Sequence, residues 1–430
     1  MERYSSYKPT SMQWLKEIPS HWEVRILGSF AKLKTGGTPS FYLKEVEEDS
    51  VDWFTPSDFT ESFDLKEASR KLNKRDFEEA GIAYFPPNSI LIIGIGGTAG
   101  KVSYNSIPCY SNQQITAIIP YRDMNCVFCT MYIRSLRDFL LKTAPYTTLP
   151  ILNNTFLSSI KVVLPPLAEQ EKIVSYLEDK TSKIDAYVAD KEKEIELLQE
   201  LKQKTIADAV TKGLNPDAKM KDSGISWIGE IPEHWEVKRI ASLFTGKVQA
   251  NTDFKYHHAF KFYYGTLVPK NEVGDIEEYR ETYVKYSVLK KDDIMINGLN
   301  LNYDFVSQRV AIAPSDGIIT SAYVVARPRK NTNAQYYSYL FKTMDNMKLF
   351  HGMGTGIRLT LSFDEMKKQV VVVPPKDEQQ AIVTYIEEKC EKIDKLASEL
   401  QSEIDYLKEY KQRLIADCVT GQVNVQNEMI

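Results

Sequence analysis

Three places in this sequence carry residue types whose spacing could do chemistry. GIGGTAGK (94–101) is the nearest thing to a phosphate loop. The pattern GxxxxGK[ST] needs a glycine five places before its second glycine and a hydroxyl after the lysine. Here Ile95 and Val102 hold those places, so the segment reads as a glycine-rich turn between strands. Cys126 and Cys129 form one CxxC with no second pair nearby, which reads as two small buried hydrophobes and not as a zinc site. His21 and His234 lie in IPSHWEV (18–24) and IPEHWEV (231–237). A catalytic histidine needs a nucleophile or carboxylate partner, and none recurs at a fixed spacing from this pair. The Pro, Trp and Val around each point instead to a packed corner. His257 and His258 have no counterparts in the other half. The chain contains no HExxH, GxSxG or NPPY-type adenine methyltransferase signature and no recognisable carboxylate set of a metal-dependent nuclease. We therefore expect no catalytic residue, no metal and no cofactor, and a chain that is not an enzyme.

The seven-residue text is what carries information. Its two copies differ only at the third place, and Trp14, Glu17 and Ile18 match Trp227, Glu230 and Ile231 at the same offset of 213. A second pair, LPPLAEQEKIVSYLEDKTSKID (164–185) and VPPKDEQQAIVTYIEEKCEKID (373–394), matches at an offset of 209, as does IAD at 206–208 and 415–417. Two copies of a domain-sized period describe a tandem duplication and not a solenoid. The 430 residues allow two to four domains. No apolar run is long enough to span a membrane, and MERYSSYKPTSMQWLKEIP lacks the apolar core of a signal peptide, so a cytoplasmic protein is expected. Five cysteines suit a reducing compartment. A net charge of −4 gives no global case for nucleic acid. The local basic clusters (Arg70, Lys71, Lys74, Arg75; Arg327, Arg329, Lys330; Lys367, Lys368) read singly as solvated surface.

Each PP pair closes a strand-like run, KVVLPP (161–166) and QVVVVPP (369–375), and opens a stretch free of Gly and Pro for over 40 residues. In the second stretch Ile386, Ile393, Leu400, Leu407 and Leu414 recur every seven residues, with Leu396, Ile404 and Tyr410 beside them. In the first the seam reads Leu177, Ile184, Lys191, Leu198 and Thr205, flanked by Val188, Ile195 and Leu201. Two long helices with matched seams are expected to pair antiparallel as a coiled coil, with Lys191 helping to set register.

Between the repeats lie aromatic-rich blocks of mixed strand and helix character. Runs such as SILIIGI (89–95), QITAIIP (114–120) and SAYVVARP (321–328) read as strands, and FCTMYIRSLRDFLLK (128–142) as amphipathic helix. The expected fold class is α/β (α+β): two globular domains separated by two long helices in a pseudo-two-fold repeat. The expected boundaries are an N-terminal repeated segment 1–24, a first variable domain 25–163, a central spacer helix 164–213 and a linker with the second repeated segment 214–237. A second variable domain 238–372, a C-terminal spacer helix 373–421 and a tail 422–430 complete the chain.

The combination of two IPxHWEV segments, two PPxxEQ helix starts and two diverged blocks resembles the specificity subunit of type I restriction–modification systems. LKTGGTPS (33–40) followed by WFTPSDF (53–59) is similar to the opening of many target-recognition domains of that family; the second block lacks this text. The resemblance covers nearly the whole chain. It implies a non-catalytic DNA reader in which each variable domain recognises one half of an asymmetric, bipartite target. It also implies that the helices fix the gap, that two methyltransferase subunits dock on the helices, and that restriction (motor-nuclease) subunits complete the complex. IPxHWEV would brace each variable domain to the helices. Base reading needs polar side chains on loops. Candidates are Thr38, Ser57, Lys101, Asn112, Gln113 and Thr147 in the first block. In the second they are Lys261, Asn297, Asn300, Asn302, Arg309, Thr355 and Arg358. Two alternatives stay open: a DNA-binding scaffold or regulator with no methyltransferase partner, and a nucleotide hydrolase built on GIGGTAGK.

Overall fold

The computed structural model describes residues 2–40, 49–60, 62–121, 124–145, 150–271, 274–303 and 308–427. In it, the repeated text builds one local structure twice. Strand Glu17–Pro19 pairs antiparallel with Tyr7–Pro9, and Glu230–Pro232 pairs likewise with Met220–Asp222. After a turn that buries Trp22 or Trp235 completely, the chain enters strand Glu23–Ile26 or Glu236–Arg239. These strands pair antiparallel with Lys161–Leu164 and Val370–Val373, the strands that precede the two PP pairs. The two repeated motifs, far apart in sequence, are therefore neighbours in space.

The contact goes to side-chain level. His21 Nε2 lies 2.8 Å from Glu169 Oε2, and His234 Nε2 lies 2.8 Å from Glu378 Oε2. The carboxylate partner that the sequence reading did not find is the Glu of PPxxEQ. It was hidden because the intervening blocks differ in length, so its distance from the histidine is 148 residues in one copy and 144 in the other. Glu169 also accepts the buried indole N–H of Trp22 at 3.0 Å. The neighbouring Gln170 and Gln379 donate back to the carbonyls of Pro165 and Pro374 at 2.9 and 2.8 Å, fastening the first helical turn. The packed-corner reading holds for Pro19, Trp22, Pro232 and Trp235, which are buried, whereas His21, Val24, His234 and Val237 are exposed.

The spacer helices run Leu167–Lys212 and Lys376–Val419. The chain divides into two compact units, Met1–Lys191 with Ser402–Ile430, and Glu192–Gln401, so each unit takes half of each helix. In both units the helices are antiparallel. In the first, Asp185 takes Lys411 at 2.6 Å; in the second, Lys202 reaches Asp394 at 2.7 Å. Asp185 corresponds to Asp394 and Lys202 to Lys411 at the 209-residue offset, so one ion pair is written twice. Such partly exposed pairs contribute at most about 1 kcal/mol each, and their value lies in selecting register and direction. All ten seam positions are buried or half-buried, among them Leu177, Ile184, Leu198, Ile386, Ile393, Leu400, Leu407 and Leu414. Leu201, Leu396 and Tyr410 are exposed, contrary to expectation; the helical turn carries them off the stripe that Ile404 and Val188 complete. Lys191 is half-buried with its ammonium 5.3 Å from the centre of the Tyr187 ring, whose hydroxyl donates to Glu403 at 3.0 Å.

Each helix ends on a glycine in the left-handed region, Gly213 (φ +75°) and Gly421 (φ +73°). A Cβ on Gly213 would come within 3.1 Å of Trp235, and one on Gly421 within 2.4 Å of Pro19. Only glycine ends the helix and lets the IPxHWEV corner close on it. In the first unit that corner is closed by the far end of the chain: Tyr7 donates to the Gly421 carbonyl at 2.9 Å, and Gln422 donates to Glu17 O at 3.1 Å.

The variable blocks share one frame. In the first, strands 31–35, 115–120, 89–93 and 102–105 lie side by side in that order; in the second, 244–245, 324–328, 294–296 and 310–312 do. An asparagine-capped helix follows in both, Cys126–Ser135 after Asn125 and Ala334–Asn346 after Asn333. The expected single helix over 128–142 is broken at Leu136, where Arg137–Thr143 starts anew. Cys126 and Cys129 are buried in this core; burial pushes the Cys126 thiol up to about 12 and raises Cys129 well above the ordinary thiol range, so both behave as apolar groups.

Two stability outcomes follow. Glu169→Ala strands a buried indole N–H and should cost the first unit about 1–3 kcal/mol, with Glu169→Gln recovering most of it. Trp235 Nε1 has no hydrogen-bond partner among the described residues, so Glu378→Ala should cost less; equal losses in urea unfolding would contradict the proposed asymmetry. Ile404→Ala, at a fully buried seam position, should cost about 2–5 kcal/mol. Leu396→Ala should stay within about 0.5 kcal/mol, as exposed positions do; differential unfolding of the two variants measures the seam directly.

Candidate nucleic-acid interface

In the first unit the loops after the sheet strands converge. Gly37 N–H donates to Ser111 O at 2.8 Å, Asn112 N–H to Phe54 O at 3.0 Å, and Gly94 N–H to Gln114 O at 2.7 Å. The GGT text is explained by the close approach at Gly36, where a Cβ would sit 2.2 Å from Ser111 Oγ. Thr38 is exposed and donates to Gln113 Oε1 at 2.8 Å, so these two predicted residues meet. In TPSD, Asp58 accepts from Thr55 N–H at 2.7 Å and from Ser69 N–H at 2.9 Å. Burial opposes the Asp58 charge, but the bonds from Ser69 and Thr55 outweigh it and hold the carboxyl below its ordinary range. This turn leaves Ser57 exposed beside Thr55 Oγ1.

GIGGTAGK is the connection between antiparallel strands Ser89–Ile93 and Val102–Asn105. A phosphate loop opens a helix, and here a strand follows instead. Lys101 is half-buried and donates to Phe59 O at 3.3 Å. Asn112 turns inward: it is buried, with its side chain bonded to Gln114 through both Nδ2 and Oδ1 at 3.1 Å. It shapes the loop and does not face solvent, correcting the expectation for it. Thr147 lies outside the described residues.

In the second unit two loops interlock. Leu301 N–H donates to Leu359 O at 3.1 Å, Leu361 N–H to Gly298 O at 2.8 Å, and Asn302 Nδ2 to Ile357 O at 3.1 Å. NGLNLNY (297–303) and GMGTGIRLT thereby bring Asn300, Thr355 and Arg358 together as exposed groups, with Asn297 and Asn302 half-buried between them. Arg309 is a correction. It is 1% exposed, and its guanidinium donates to the carbonyls of Asn297, Leu299 and Asn300 at 3.0, 2.8 and 3.5 Å. A buried charge that saturates three carbonyls holds the loop's shape and cannot reach a base. Lys261 is exposed on the hairpin Phe260–Tyr263/Thr266–Pro269, whose tip meets Asn297 in a cleft lined by Phe262, Tyr263 and Tyr264.

Large apolar and aromatic side chains that a reading for polar groups passes over are also exposed in these loops: Tyr263, Tyr264, Tyr303 and Ile357. The available signal was YYG, an aromatic pair at a two-residue hairpin turn, where Tyr264 and Gly265 both have positive φ. Six of the nine residues in the basic clusters pair with nearby carboxylates. Arg327 binds the buried Asp293 at 2.7 Å; Lys367 and Lys368 pair with Asp364 and Glu365; Lys71, Lys74 and Arg75 pair with Glu67, Glu78 and Glu79. Among the described residues no helix is long and apolar enough to cross a membrane.

Comparison with known proteins agrees with this layout. A specificity subunit of the type I restriction enzyme MjaVIII of Methanocaldococcus jannaschii is 24% identical over 449 residues, spanning 99% of this chain and 98% of that one. The MjaIX specificity subunit of the same organism is 22% identical over 95% of each chain. A chain solved in a study of complex assembly and conformational transition of the type I R-M system superposes with TM-score 0.69 at 13% identity, covering 94% of this chain and 99% of that one. The HsdS subunit from Thermoanaerobacter tengcongensis superposes at 0.53 with 14% identity, covering 94% and 98%; both likenesses concern the fold. The family described as type I restriction modification DNA specificity domain matches twice, over residues 19–197 and 232–406, and the chain belongs to that family, carrying the domain in two copies.

Proposed function

We propose that this chain is the sequence-reading subunit of a type I restriction–modification complex and directs its methyltransferase and restriction subunits to an asymmetric, bipartite DNA target. One observation carries the reading: the two blocks share a strand order and a helix frame, yet present unrelated loops, Thr38, Ser57 and Gln113 in one and Asn300, Thr355 and Arg358 in the other. A common frame with different polar surfaces is what two readers of different half-sites require. The helices would set the gap between half-sites, since their seam and paired charges fix one register.

The partners proposed are double-stranded DNA, two methyltransferase subunits on the helix starts, and restriction subunits recruited through the assembled complex. The support is the duplicated PPxxEQ start, which offers one equivalent surface per copy, with Glu178 and Glu387 exposed at matching places. The chain itself is proposed to be non-catalytic and to work in the cytoplasm.

Replacing residues 25–163 by the corresponding block of a relative should change one half of the methylated motif and leave the other intact. Methylation-aware sequencing of a genome carrying the variant with its methyltransferase reads this; simultaneous change of both halves would refute two independent readers. Charge reversal at Glu178 and Glu387 should weaken assembly with methyltransferase while the circular dichroism stays native. Native mass spectrometry that finds a single methyltransferase per wild-type chain at saturation would exclude the two-surface arrangement.

A further inference from the structure

The loop 354–360 presents a feature that base reading by polar groups does not explain. Ile357 is 94% exposed at its tip. The tip is not loose. Thr355 and Thr360 exchange both backbone hydrogen bonds, at 3.1 and 2.9 Å, and close the loop at its base. Leu359 N–H donates to Gly356 O at 3.1 Å, and Asn302 Nδ2 holds the Ile357 carbonyl itself at 3.1 Å. An isoleucine held out in water on a braced backbone gains nothing within the chain. Its neighbours are Arg358, also exposed, and a surface built from Asn300 and Thr355.

We propose that Ile357 is a wedge that enters the base stack of the half-site read by the second domain, with Arg358 lying against the adjoining groove wall. This rests on the DNA-reading function proposed above. Apolar side chains of this size, presented singly beside an arginine, partially unstack one base step and kink the duplex from the minor-groove side. The energy of that deformation depends on the step, so the second domain would select sequence at a position it does not hydrogen-bond. The corresponding place in the first block, at the 209-residue offset, is Thr148, so by residue type the device belongs to the second domain alone.

The test uses the full chain assembled with its methyltransferase subunits and a duplex bearing the methylated motif. 2-Aminopurine replaces bases at successive positions of the second half-site, the methylated adenine being left unchanged. Wild-type complex should bind the motif over a scrambled duplex and raise the fluorescence several-fold at one step. Ile357→Ala, at a side chain that contributes nothing to the fold, should abolish the rise and weaken binding by roughly tenfold; Ile357→Met should restore both. A rise that persists in Ile357→Ala, or one lost in Tyr264→Ala while Ile357→Ala keeps it, overturns the wedge. Selective binding by the wild type with no rise at any step also overturns it while leaving the reading function standing. No preference for the motif duplex removes both.

Discussion

The joint between IPxHWEV and PPxxEQ is the contact on which the remainder of the architecture depends. A tryptophan is buried completely, a strand of the first motif pairs with the strand before the prolines, and a histidine meets the glutamate of the first helical turn. The strands alone are too short to be stable. Four-residue strands and a helix with a polar outer face need tertiary packing to persist. Joined, they fix where the long helix leaves the domain and which face it turns inward. The glycine at the opposite end of the partner helix completes the corner, because no side chain fits between that helix end and the tryptophan or proline.

That joint also separates two kinds of sequence constraint. The corner needs a specific shape, so both copies keep its text; the seams share a period but not every residue, with Lys191 and Thr205 where the second copy has Leu400 and Leu414. The variable blocks need only maintain a sheet core, which many apolar sequences can fill. Their loops are free to diverge, as the unmatched residues at the two faces show. The inward-turned Asn112 and Arg309 mark the boundary between these regimes. Each is a polar residue in a loop whose task is to hold neighbouring carbonyls or amides in place, so that others can be presented outward.

Charge follows the same logic. The net charge is −4, and most residues of the basic clusters are paired to local carboxylates. Affinity for DNA must then come from a few groups brought together by loops, and from partner subunits.

The repeat, the paired helices, the heptad positions on each helix and the strand before each PP were legible in the sequence, because periodicity and duplicated text report local geometry that any context preserves. The buried fate of Cys126 and Cys129 was legible from the lone CxxC, which has no second pair to complete a zinc site. Three matters were decided only by tertiary structure. The glutamate partner of each histidine was concealed because the two blocks differ in length and no constant spacing survived. Asn112 and Arg309 read as ligands in a polar loop, yet the number of unsatisfied carbonyls and amides around them, a property of the folded loop, draws them inside. Ile357 and the tyrosine hairpin were not among the candidates, because residue type does not say which apolar side chains are held outward; the braced loops decide it.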